Sequence, residues 1–229
     1  MLTLPVAELR KATPTSRIVR LALDTAFDFE PGQSALLGRH GQPDRRHYSI
    51  AIPPEVARRD GTLEFLVRTE RDGTLGPHLD DLRRGSLVDV EGPVGRFALP
   101  EAFDERACLF VAGGTGIAPI RAMLLRAATM RGVRLALAYS ARTSREFAFL
   151  RDLEGMRRRG LRLLLTATRD APPSWKHDRG RLGQSRLSTL VESAETLCFV
   201  CGPPPLVEDV PQALMKLGID EKRIRTEIF

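Results

Sequence analysis

The pattern of apolar and polar positions changes character near the middle of the chain. In the first half, short runs that alternate between apolar and polar residues are separated by turns rich in Gly, Pro and Asp, which is typical of antiparallel strands. These runs cover residues 17–23, 33–37, 48–52, 63–67 and 87–90, and one helical stretch covers about residues 75–82. Five or six short strands with regular breaks predict a small antiparallel β-barrel.

In the second half, apolar strands alternate with amphipathic helices. The strand-like runs cover residues 108–112, 135–139, 161–167, 197–201 and 223–229. The helix-like stretches cover residues 117–130, 146–158, 186–193 and 206–217. Repeated strand–helix units predict an α/β domain with a doubly wound parallel sheet, which binds ligands at the carboxyl ends of its strands. We therefore predict two domains, a β-barrel over residues 1–99 and an α/β domain over residues 100–229.

A glycine-rich turn joins the first strand of the α/β half to its first helix. Gly113, Gly114 and Gly116 remove the Cβ atoms that would keep a ligand away from the backbone. The helix that follows directs free amides and a positive dipole end at the same place, which is a common way to hold a phosphate. Pro119 stands where the usual dinucleotide pattern has a third glycine, and the first helical turn tolerates proline.

Polar residues follow the other strands at the predicted ligand-binding edge. Ser140 and Arg142 end the second strand, and no carboxylate follows before Glu146. A carboxylate there would bind a ribose 2′-hydroxyl, whereas serine and arginine fit a 2′-phosphate better, so the pattern favours NADPH over NADH. An ordinary polar loop explains the same residues equally well. Arg169 and the segment 201–203 are expected at this edge too.

The barrel half contains one segment with the chemistry of a binding site. Within a strand, Arg46 and Tyr48 share one face, and His47 and Ser49 share the other. A ring and a cation on one face can hold an aromatic ligand with a phosphate tail, although an ordinary amphipathic edge strand has the same pattern. The loop at residues 68–77 offers amides to a pyrophosphate at a helix N-terminus, or is simply a capped loop.

Composition and charge narrow the classes of function. The 229 residues carry a net charge of +6, and hydrophobic residues make up 42%, which suffices for a core in each of two domains. The arginines are scattered and are not interleaved with aromatic residues, which argues against nucleic acid and leaves an acidic protein partner as the expected electrostatic match. We find no long apolar run and no signal-peptide pattern, so we expect a cytoplasmic protein without a membrane anchor.

The cysteines and histidines do not form a recognisable metal or catalytic pattern. Cys108, Cys198 and Cys201 are too few for a disulfide framework or for an iron–sulfur cluster. Cys198 and Cys201 have C-x-x-C spacing, but on a strand their side chains point to opposite sides, which argues against a zinc site or a redox dithiol. We therefore predict no metal site.

Four motifs, taken in order, resemble those of the ferredoxin–NADP reductase family. Residues 46–49 are similar to the family's R-x-Y-S flavin motif, and residues 113–119 to its nicotinamide-nucleotide loop. Residues 201–203 are similar to its C-G-P motif, and residues 227–229 to its C-terminal Glu-x-aromatic ending. The family fold is a flavin-binding antiparallel barrel followed by an NAD(P)-binding α/β domain, which matches the division into two halves described above.

The resemblance implies roles for individual residues. Arg46 would bind the FAD phosphate, and Tyr48 would stack on the isoalloxazine ring. The expected catalytic residues are Ser49 near flavin N5, Cys201 and Glu227 at the nicotinamide pocket, and Phe229, which would cover the flavin and move aside. The residues expected to bind FAD or the nucleotide are Arg46, His47, Tyr48, Ser49, Val67, Arg68, Gly73, Thr74, Leu75, Gly113, Gly114, Thr115, Gly116, Pro119, Arg142, Arg169, Cys201, Gly202 and Pro203.

The implied function is an NAD(P)H-dependent oxidoreductase. Electrons would pass from NAD(P)H through bound FAD to a separate acidic carrier, a ferredoxin or a flavodoxin, and the protein would be a monomer. Gly76 replaces a serine that often ends the flavin phosphate loop, which leaves FMN open as an alternative to FAD. The lack of a cysteine-rich segment argues against a reductase with its own iron–sulfur cluster. The alternatives are a free-flavin or ferric reductase and a non-catalytic electron-transfer subunit of an oxygenase or hydrogenase-type complex.

Overall fold

A computed structural model describes residues 1–70, 75–79, 81–101 and 104–229. The first half contains six strands, one α-helix and a short 3-10 turn. The strands are β1 (Leu2–Thr13), β2 (Ser16–Ala22), β3 (Ser34–Arg39), β4 (Arg46–Ser49), β5 (Thr62–Arg68) and β6 (Leu87–Val94). The helix α1 spans Pro54–Asp60, and the 3-10 turn spans Pro77–Leu79.

The second half alternates strands and helices as the pattern predicts. Its strands are β7 (Ala107–Gly113), β8 (Arg134–Thr143), β9 (Arg162–Asp170), β10 (Asp178–Arg179), β11 (Leu197–Gly202) and β12 (Ile224–Ile228). Its α-helices are α2 (Ile117–Ala127), α3 (Leu150–Arg157), α4 (Gln184–Ser188) and α5 (Pro204–Lys216). Short 3-10 turns cover Gly114–Gly116 and Glu221–Arg223.

The two halves form two separate six-stranded sheets. The first sheet is antiparallel with the order β4-β3-β6-β1-β2-β5, and a bridge between Ile50 and Phe65 joins its two edges into a barrel. The second sheet is parallel with the order β10-β9-β8-β7-β11-β12. The predicted fold class, an antiparallel barrel followed by a doubly wound α/β domain, is confirmed.

Prolines account for two of the elements that the pattern did not predict. Strand β1 contains Pro5, and proline inside a run argues against a central strand. The strand tolerates it because β1 changes partner there, pairing with β6 up to Pro5 and with β2 from Val6 onward. Helix α1 begins at Pro54, the first helical position, where the missing N–H has no intrahelical partner to lose.

The helical stretch expected over residues 75–82 is shorter in the structure. Within the described residues it is reduced to the 3-10 turn Pro77–Leu79. Gly76 has φ +86° and Asp81 has φ +53°, and both are left-handed conformations that interrupt a right-handed helix on either side of the turn.

Helix α2 belongs to the core of both halves. One cluster of buried side chains joins Ile117 and Ile120 of α2 to Ile18, Ala51 and Leu66 of the barrel. The opposite face of the parallel sheet has a separate core against α5. The barrel interior forms a third cluster. The two halves therefore share apolar packing through α2.

The two cysteines of the C-x-x-C spacing lie on opposite faces of β11. Cys201 packs in the cluster with α2, and Cys198 packs in the cluster with α5, so the predicted alternation is confirmed. Among the described residues, no helix is both long and apolar enough to cross a bilayer.

Candidate functional site formed by two adjoining cavities

The carboxyl ends of β7, β8, β9 and β11 open into a cleft of about 400 Å³, which we call the nucleotide cleft. The structure brings most of the predicted nucleotide residues together in its wall. The predicted residues that line it are Arg68, Gly113, Gly114, Thr115, Arg142, Arg169, Pro203 and Phe229. Gly116, Pro119, Cys201 and Gly202 are buried and do not form part of the wall.

Close approach of the backbone explains the glycines in this wall. A Cβ atom on Gly116 would lie 2.4 Å from the carbonyl oxygen of Cys201 and 2.9 Å from the ring of Phe229. A Cβ atom on Gly113 would lie 2.9 Å from Cδ of Pro203. Gly114 has φ +56°, which residues with a side chain rarely adopt. A side chain at Gly113 or Gly116 would push apart β7, β11 and the start of α2, whereas at Gly114 it is the left-handed backbone that favours glycine.

The glycine turn is held in place by the side chain of Tyr139. Its hydroxyl donates to the carbonyl oxygen of Gly114 at 3.0 Å and accepts from the N–H of Ala148 at 3.2 Å. Burial raises the pKa of Tyr139, so the phenol keeps its proton and remains a donor. Helix α2 starts directly after the turn. The N–H of Ile117 donates to the carbonyl oxygens of Gly114 and Thr115, and Pro119 has no N–H, so the positive end of the helix dipole is the main feature that this end offers to an anion.

The far end of the nucleotide cleft is polar and rich in arginine. Ser140 is nearly buried at the end of β8, and the exposed side chains of Arg142 and Arg169 line the same wall. Arg181 adds a third guanidinium that the pattern did not indicate, and it forms a loose ion pair of 3.8 Å with Asp209. Arg181 precedes α4 in a stretch without a motif, so the sequence offered no signal for it.

The barrel supplies the opposite wall of the nucleotide cleft. Thr13, Thr15 and Ser16 at the turn between β1 and β2 lie beside Leu66 and Arg68 of β5. The Thr13 and Ser16 hydroxyls are 2.7 Å apart, and both residues are nearly buried. No pattern in the sequence indicated this hydroxyl-bearing turn, because β1 itself was not predicted.

A second cavity of about 400 Å³ lies on the barrel, and we call it the flavin cavity. Its wall consists of Arg46, Tyr48, Arg68, Thr69, Glu70, Leu75 and His78. Arg46 and Tyr48 therefore lie on one face of β4, as the alternation predicts. His47 is exposed and outside the wall, and Ser49 accepts a long hydrogen bond of 3.4 Å from Ser34. Val67 is buried in the barrel core, and Gly73 and Thr74 lie outside the described residues.

Tyr48 is paired with a histidine that no motif in the sequence indicates. The Tyr48 hydroxyl is 2.6 Å from Nε2 of His78, and the two rings are nearly parallel. Burial raises the pKa of Tyr48 to about 12, so the phenol donates this hydrogen bond. Burial, and then the charge of Arg46, lower the pKa of His78, which favours the neutral ring that accepts it.

The donors in the flavin cavity fit FAD. Arg46 and Arg68 present two guanidinium groups, which suit the oxygens of a diphosphate. Tyr48 and Leu75 supply apolar surface for a planar ring. Nδ1 of His78 is buried without a hydrogen-bond partner in the part of the chain that the structure describes, so a polar ligand group would satisfy it. Arg68 also lines the nucleotide cleft, so the two cavities adjoin.

The C-terminal strand brings the last predicted residues beside the glycine turn. Cys201 and Glu227 are paired across β11 and β12, with Sγ and Oε1 4.0 Å apart. Burial and then Glu227 raise the pKa of the Cys201 thiol well above its usual value. Burial raises the pKa of Glu227 to about 7. The Cys201 thiol therefore keeps its proton at neutral pH, whereas the Glu227 carboxyl changes its charge near neutral pH.

Phe229 lies in the wall of the nucleotide cleft, and its expected cover of the flavin stays a prediction. Its N–H donates to the carbonyl oxygen of Gly202 at 3.4 Å, which continues the pairing of β12 with β11. The ring lies against Gly114 and Gly116, is half exposed, and lines the nucleotide cleft rather than the flavin cavity. In this structure the terminal ring therefore occupies the cleft that the dinucleotide would enter.

Comparisons with known families match both halves of the chain. Residues 3–99 match the oxidoreductase FAD-binding domain, and residues 110–212 match the oxidoreductase NAD-binding domain. Related proteins include the toluate 1,2-dioxygenase electron transfer component of Pseudomonas putida, which is 32% identical over 98% of this chain. The glycine betaine monooxygenase reductase subunit of Chromohalobacter salexigens is 32% identical over 89% of this chain. The chain spans 65% and 56% of the lengths of these two relatives.

Solved structures show the same fold over the whole chain. The ferredoxin reductase in carbazole 1,9a-dioxygenase is 25% identical, with a TM-score of 0.85 over 100% of this chain and 69% of its own. A ferredoxin NADP+ reductase from Neisseria gonorrhoeae, solved with FAD and NADP, is 21% identical, with a TM-score of 0.84 over 99% of this chain and 98% of its own. This chain therefore belongs to the ferredoxin–NADP reductase-like family of flavoprotein oxidoreductases, with an FAD-binding half and an NAD(P)-binding half.

Proposed function

We propose that this protein passes electrons from NADPH through bound FAD to a separate one-electron carrier. The observation that carries the proposal is the junction of the two cavities at Arg68, which lines both the nucleotide cleft and the flavin cavity. A phosphate-binding glycine turn opens into one cavity, and a tyrosine and two arginines open into the other. Two cofactors held in adjoining cavities can meet without a large movement of the domains.

The side chains on both walls have roles in binding and alignment. Arg46 and Arg68 would bind the FAD phosphates, Tyr48 would pack on its ring, and Ser49 would lie near the reacting edge. The turn Gly114–Gly116 and the start of α2 would hold the nucleotide pyrophosphate. Cys201 and Glu227 would lie beside the nicotinamide, where the protonated thiol of Cys201 adds no charge and the carboxyl of Glu227 changes its charge near neutral pH. When FAD is bound, it can accept two electrons at once and release them one at a time.

The arginines of the nucleotide cleft support NADPH as the preferred donor. Arg142, Arg169 and Arg181 line one end of the cleft together with Ser140. This set can neutralise and hydrogen-bond a 2′-phosphate. Glu146 and Asp209 line the same wall, but Asp209 already faces Arg181. The balance of charge there is positive, which suits the extra phosphate of NADPH.

A separate acidic carrier is the proposed electron acceptor. The name of the Pseudomonas putida relative describes it as an electron transfer component, and that of the carbazole 1,9a-dioxygenase structure describes it as a ferredoxin reductase. The net charge of +6 on this chain would attract an acidic ferredoxin or flavodoxin. We further propose a monomer whose domains divide at residues 99 and 100.

The experiment combines flavin retention with anaerobic reduction. Purified protein is loaded with FAD, passed over a gel-filtration column and mixed with NADPH or NADH in the absence of oxygen. We expect the flavin to remain bound, to bleach faster with NADPH, and to reduce an added acidic ferredoxin. Loss of all flavin on the column would favour a free-flavin reductase, and no bleaching with either nucleotide would favour a non-catalytic subunit.

The choice of donor is tested at Arg142. Arg142→Ala should weaken NADPH binding by about 10- to 100-fold, because charged hydrogen bonds contribute about 1.5–3 kcal/mol, and should change NADH binding far less. Arg145→Ala is the matched control, since Arg145 is also exposed but does not line the cleft. Equal losses for NADPH and NADH would reject Arg142 as a ligand of the 2′-phosphate.

A further inference from the structure

Helix α2 carries one buried charge at the boundary between the two halves. The helix is buried from Ile117 to Leu124, with the parallel sheet on one side and the barrel on the other. Arg121 lies in the middle of this stretch, and its residue surface is only 8% exposed. Arg121 is not among the residues that line either cavity. A buried guanidinium outside both cavities needs its own explanation, because burying an unpaired charge is costly.

The guanidinium of Arg121 joins three segments of the chain. Its Nη1 donates to the carbonyl oxygen of Ala51 at 2.6 Å and to Oε1 of Glu64 at 2.9 Å, and both acceptors belong to the barrel. Its Nη2 donates to Oδ2 of Asp152 on α3 at 2.7 Å. The ring of Phe149 lies 4.3 Å from the guanidinium carbon. One planar group therefore binds the barrel, α2 and α3 at the same time.

The acceptor on the barrel is itself held in one position. Glu64 lies on β5 and is only 1% exposed, and its second oxygen accepts from Nε of Arg20 at 2.6 Å. Arg20 in turn donates to Glu8 on β1 at 2.8 Å. Because Arg20 and Arg121 each bind one oxygen of the Glu64 carboxylate, the carboxylate is held in one orientation, and the Arg121 guanidinium must adopt the matching orientation. The forked geometry of arginine satisfies several acceptors at once, which the single ammonium group of lysine does not reproduce.

Short stretches of chain connect this contact to both cofactor sites. Ala51 follows Ser49 of the flavin motif by two positions, and Arg121 follows Gly116 of the glycine turn by five. We infer that Arg121 is a positioning residue that fixes the alignment of the glycine turn relative to the flavin strand β4. The inference rests on the proposed reduction of FAD by NAD(P)H, in which small errors in alignment are costly, since a misplacement of about 1 Å can slow a reaction by about 100-fold.

The test uses variants from both sides of the contact. Arg121→Met removes the charge with a similar length, Arg121→Lys keeps the charge without the fork, and Glu64→Gln keeps the shape of the acceptor on the barrel. Arg126→Met is the matched control, because Arg126 lies on the same helix and faces Glu55 of the barrel at 3.7 Å in a much more exposed pair. None of these residues lines either cavity.

Rapid mixing with saturating NADPH measures the effect on alignment. We expect Arg121→Met and Glu64→Gln to slow flavin reduction by about 10- to 100-fold, with unchanged FAD content and unchanged affinity for NADPH. The rate of flavin reduction in Arg121→Lys should lie between the rates of these variants and that of the wild type, and the rate in Arg126→Met should equal the wild-type rate. Wild-type rates in Arg121→Met and Glu64→Gln would overturn the inference, as would an equal loss in Arg126→Met. If Arg121→Met does not fold, Glu64→Gln decides the outcome.

Calorimetry of the FAD-free protein provides a readout that does not depend on activity. The wild type should unfold in one transition because the two halves are coupled through α2, and Arg121→Met or Glu64→Gln should split or broaden it. A single sharp transition in both variants would contradict the role in alignment. If the wild type itself does not reduce FAD, the proposed function fails, and the calorimetric comparison still tests the contact between the halves.

Discussion

The nucleotide cleft and the flavin cavity have similar volumes but are built in different ways. The nucleotide cleft depends on backbone and small residues at the ends of neighbouring strands, above all Gly113, Gly114 and Gly116. The flavin cavity depends on long side chains from β4, β5 and the 3-10 turn, with Tyr48 and His78 paired across 30 positions of the chain. The first site is therefore sensitive to added volume, and the second to lost side-chain contacts.

The difference explains which site is easier to recognise in the sequence. A glycine turn between a strand and a helix is a local pattern, and the ends of parallel strands meet at one edge of the sheet. A cavity made of side chains depends on which strands pair, and the pairing of β1, β2 and β5 cannot be predicted from any short segment of the sequence. The two sites should therefore respond separately to substitution, although they adjoin at Arg68.

The largest expected effect is at Gly116. Gly116→Ala places a Cβ atom 2.4 Å from the backbone oxygen of Cys201, which cannot move aside easily, so the start of α2 must shift. We expect FAD content to be unchanged and flavin reduction by NADPH to fall by about 100-fold or more. Gly155→Ala on α3 is the control, since its nearest neighbours are 3.8 Å away. Wild-type reduction rates in Gly116→Ala would contradict the backbone description of the cleft.

The next effect is expected in the flavin cavity. Arg46→Ala should weaken FAD binding by about 10- to 100-fold, because a charged hydrogen bond to phosphate contributes about 1.5–3 kcal/mol. The affinity for NADP+ should remain unchanged, which would show that the two sites bind their ligands independently. Fluorescence titration with FAD measures the change, and Arg39→Ala on the adjacent strand is the control. Normal FAD affinity in Arg46→Ala would exclude its role with the phosphate.

A smaller effect concerns pH and Glu227. Burial raises its pKa to about 7 from an unfolded value of 4.5, so between these values the folded protein keeps a proton that the unfolded chain has released. The free energy of unfolding should fall as pH rises through this window, and Glu227→Gln should remove about 1–3 kcal/mol of that fall. Denaturant titrations at several pH values measure it, with exposed Glu221→Gln as the control. Parallel curves for wild type and Glu227→Gln would disprove the raised pKa.

The smallest effect is expected at the C-terminus. Deletion of Phe229 removes the ring that lies against Gly114 and Gly116 in the nucleotide cleft. The affinity for NADP+ should rise by about 2- to 10-fold, because the nucleotide would no longer compete with the ring for the cleft. Ile228→Ala, which alters the neighbouring exposed side chain, should leave the affinity unchanged. Unchanged or weaker binding after the deletion would argue against a gating ring.

Much of the fold could be predicted from the sequence because its signals are periodic. The alternation that marks β2 and the apolar runs that mark β7 and β11 follow directly from which faces are buried. Strand β1 and helix α1 were missed because Pro5 and Pro54 have the appearance of turn residues, and only the partner change in β1 and the first-turn position in α1 make them acceptable.

Less of the candidate site could be predicted, for a related reason. The alternation predicted that Arg46 and Tyr48 share one face, but it did not predict the contact between Tyr48 and His78. That contact depends on the path of a turn that is distant in the sequence. Arg181 and the turn at Thr13–Ser16 reach the nucleotide cleft only through tertiary packing. The expected role of Phe229 came from resemblance, and only the register of β12 on β11 shows that its ring lies beside the glycine turn.

The central claim is that a nucleotide in the cleft reduces FAD in the adjoining cavity. The most direct test is to mix FAD-loaded protein with NADPH in a stopped-flow spectrometer under anaerobic conditions and to follow the flavin absorbance. We predict complete bleaching by a stoichiometric amount of NADPH in the wild type, with FAD retained but not bleached at a comparable rate in Gly116→Ala. Full flavin absorbance in the folded, FAD-loaded wild type after addition of NADPH and then NADH would contradict the account.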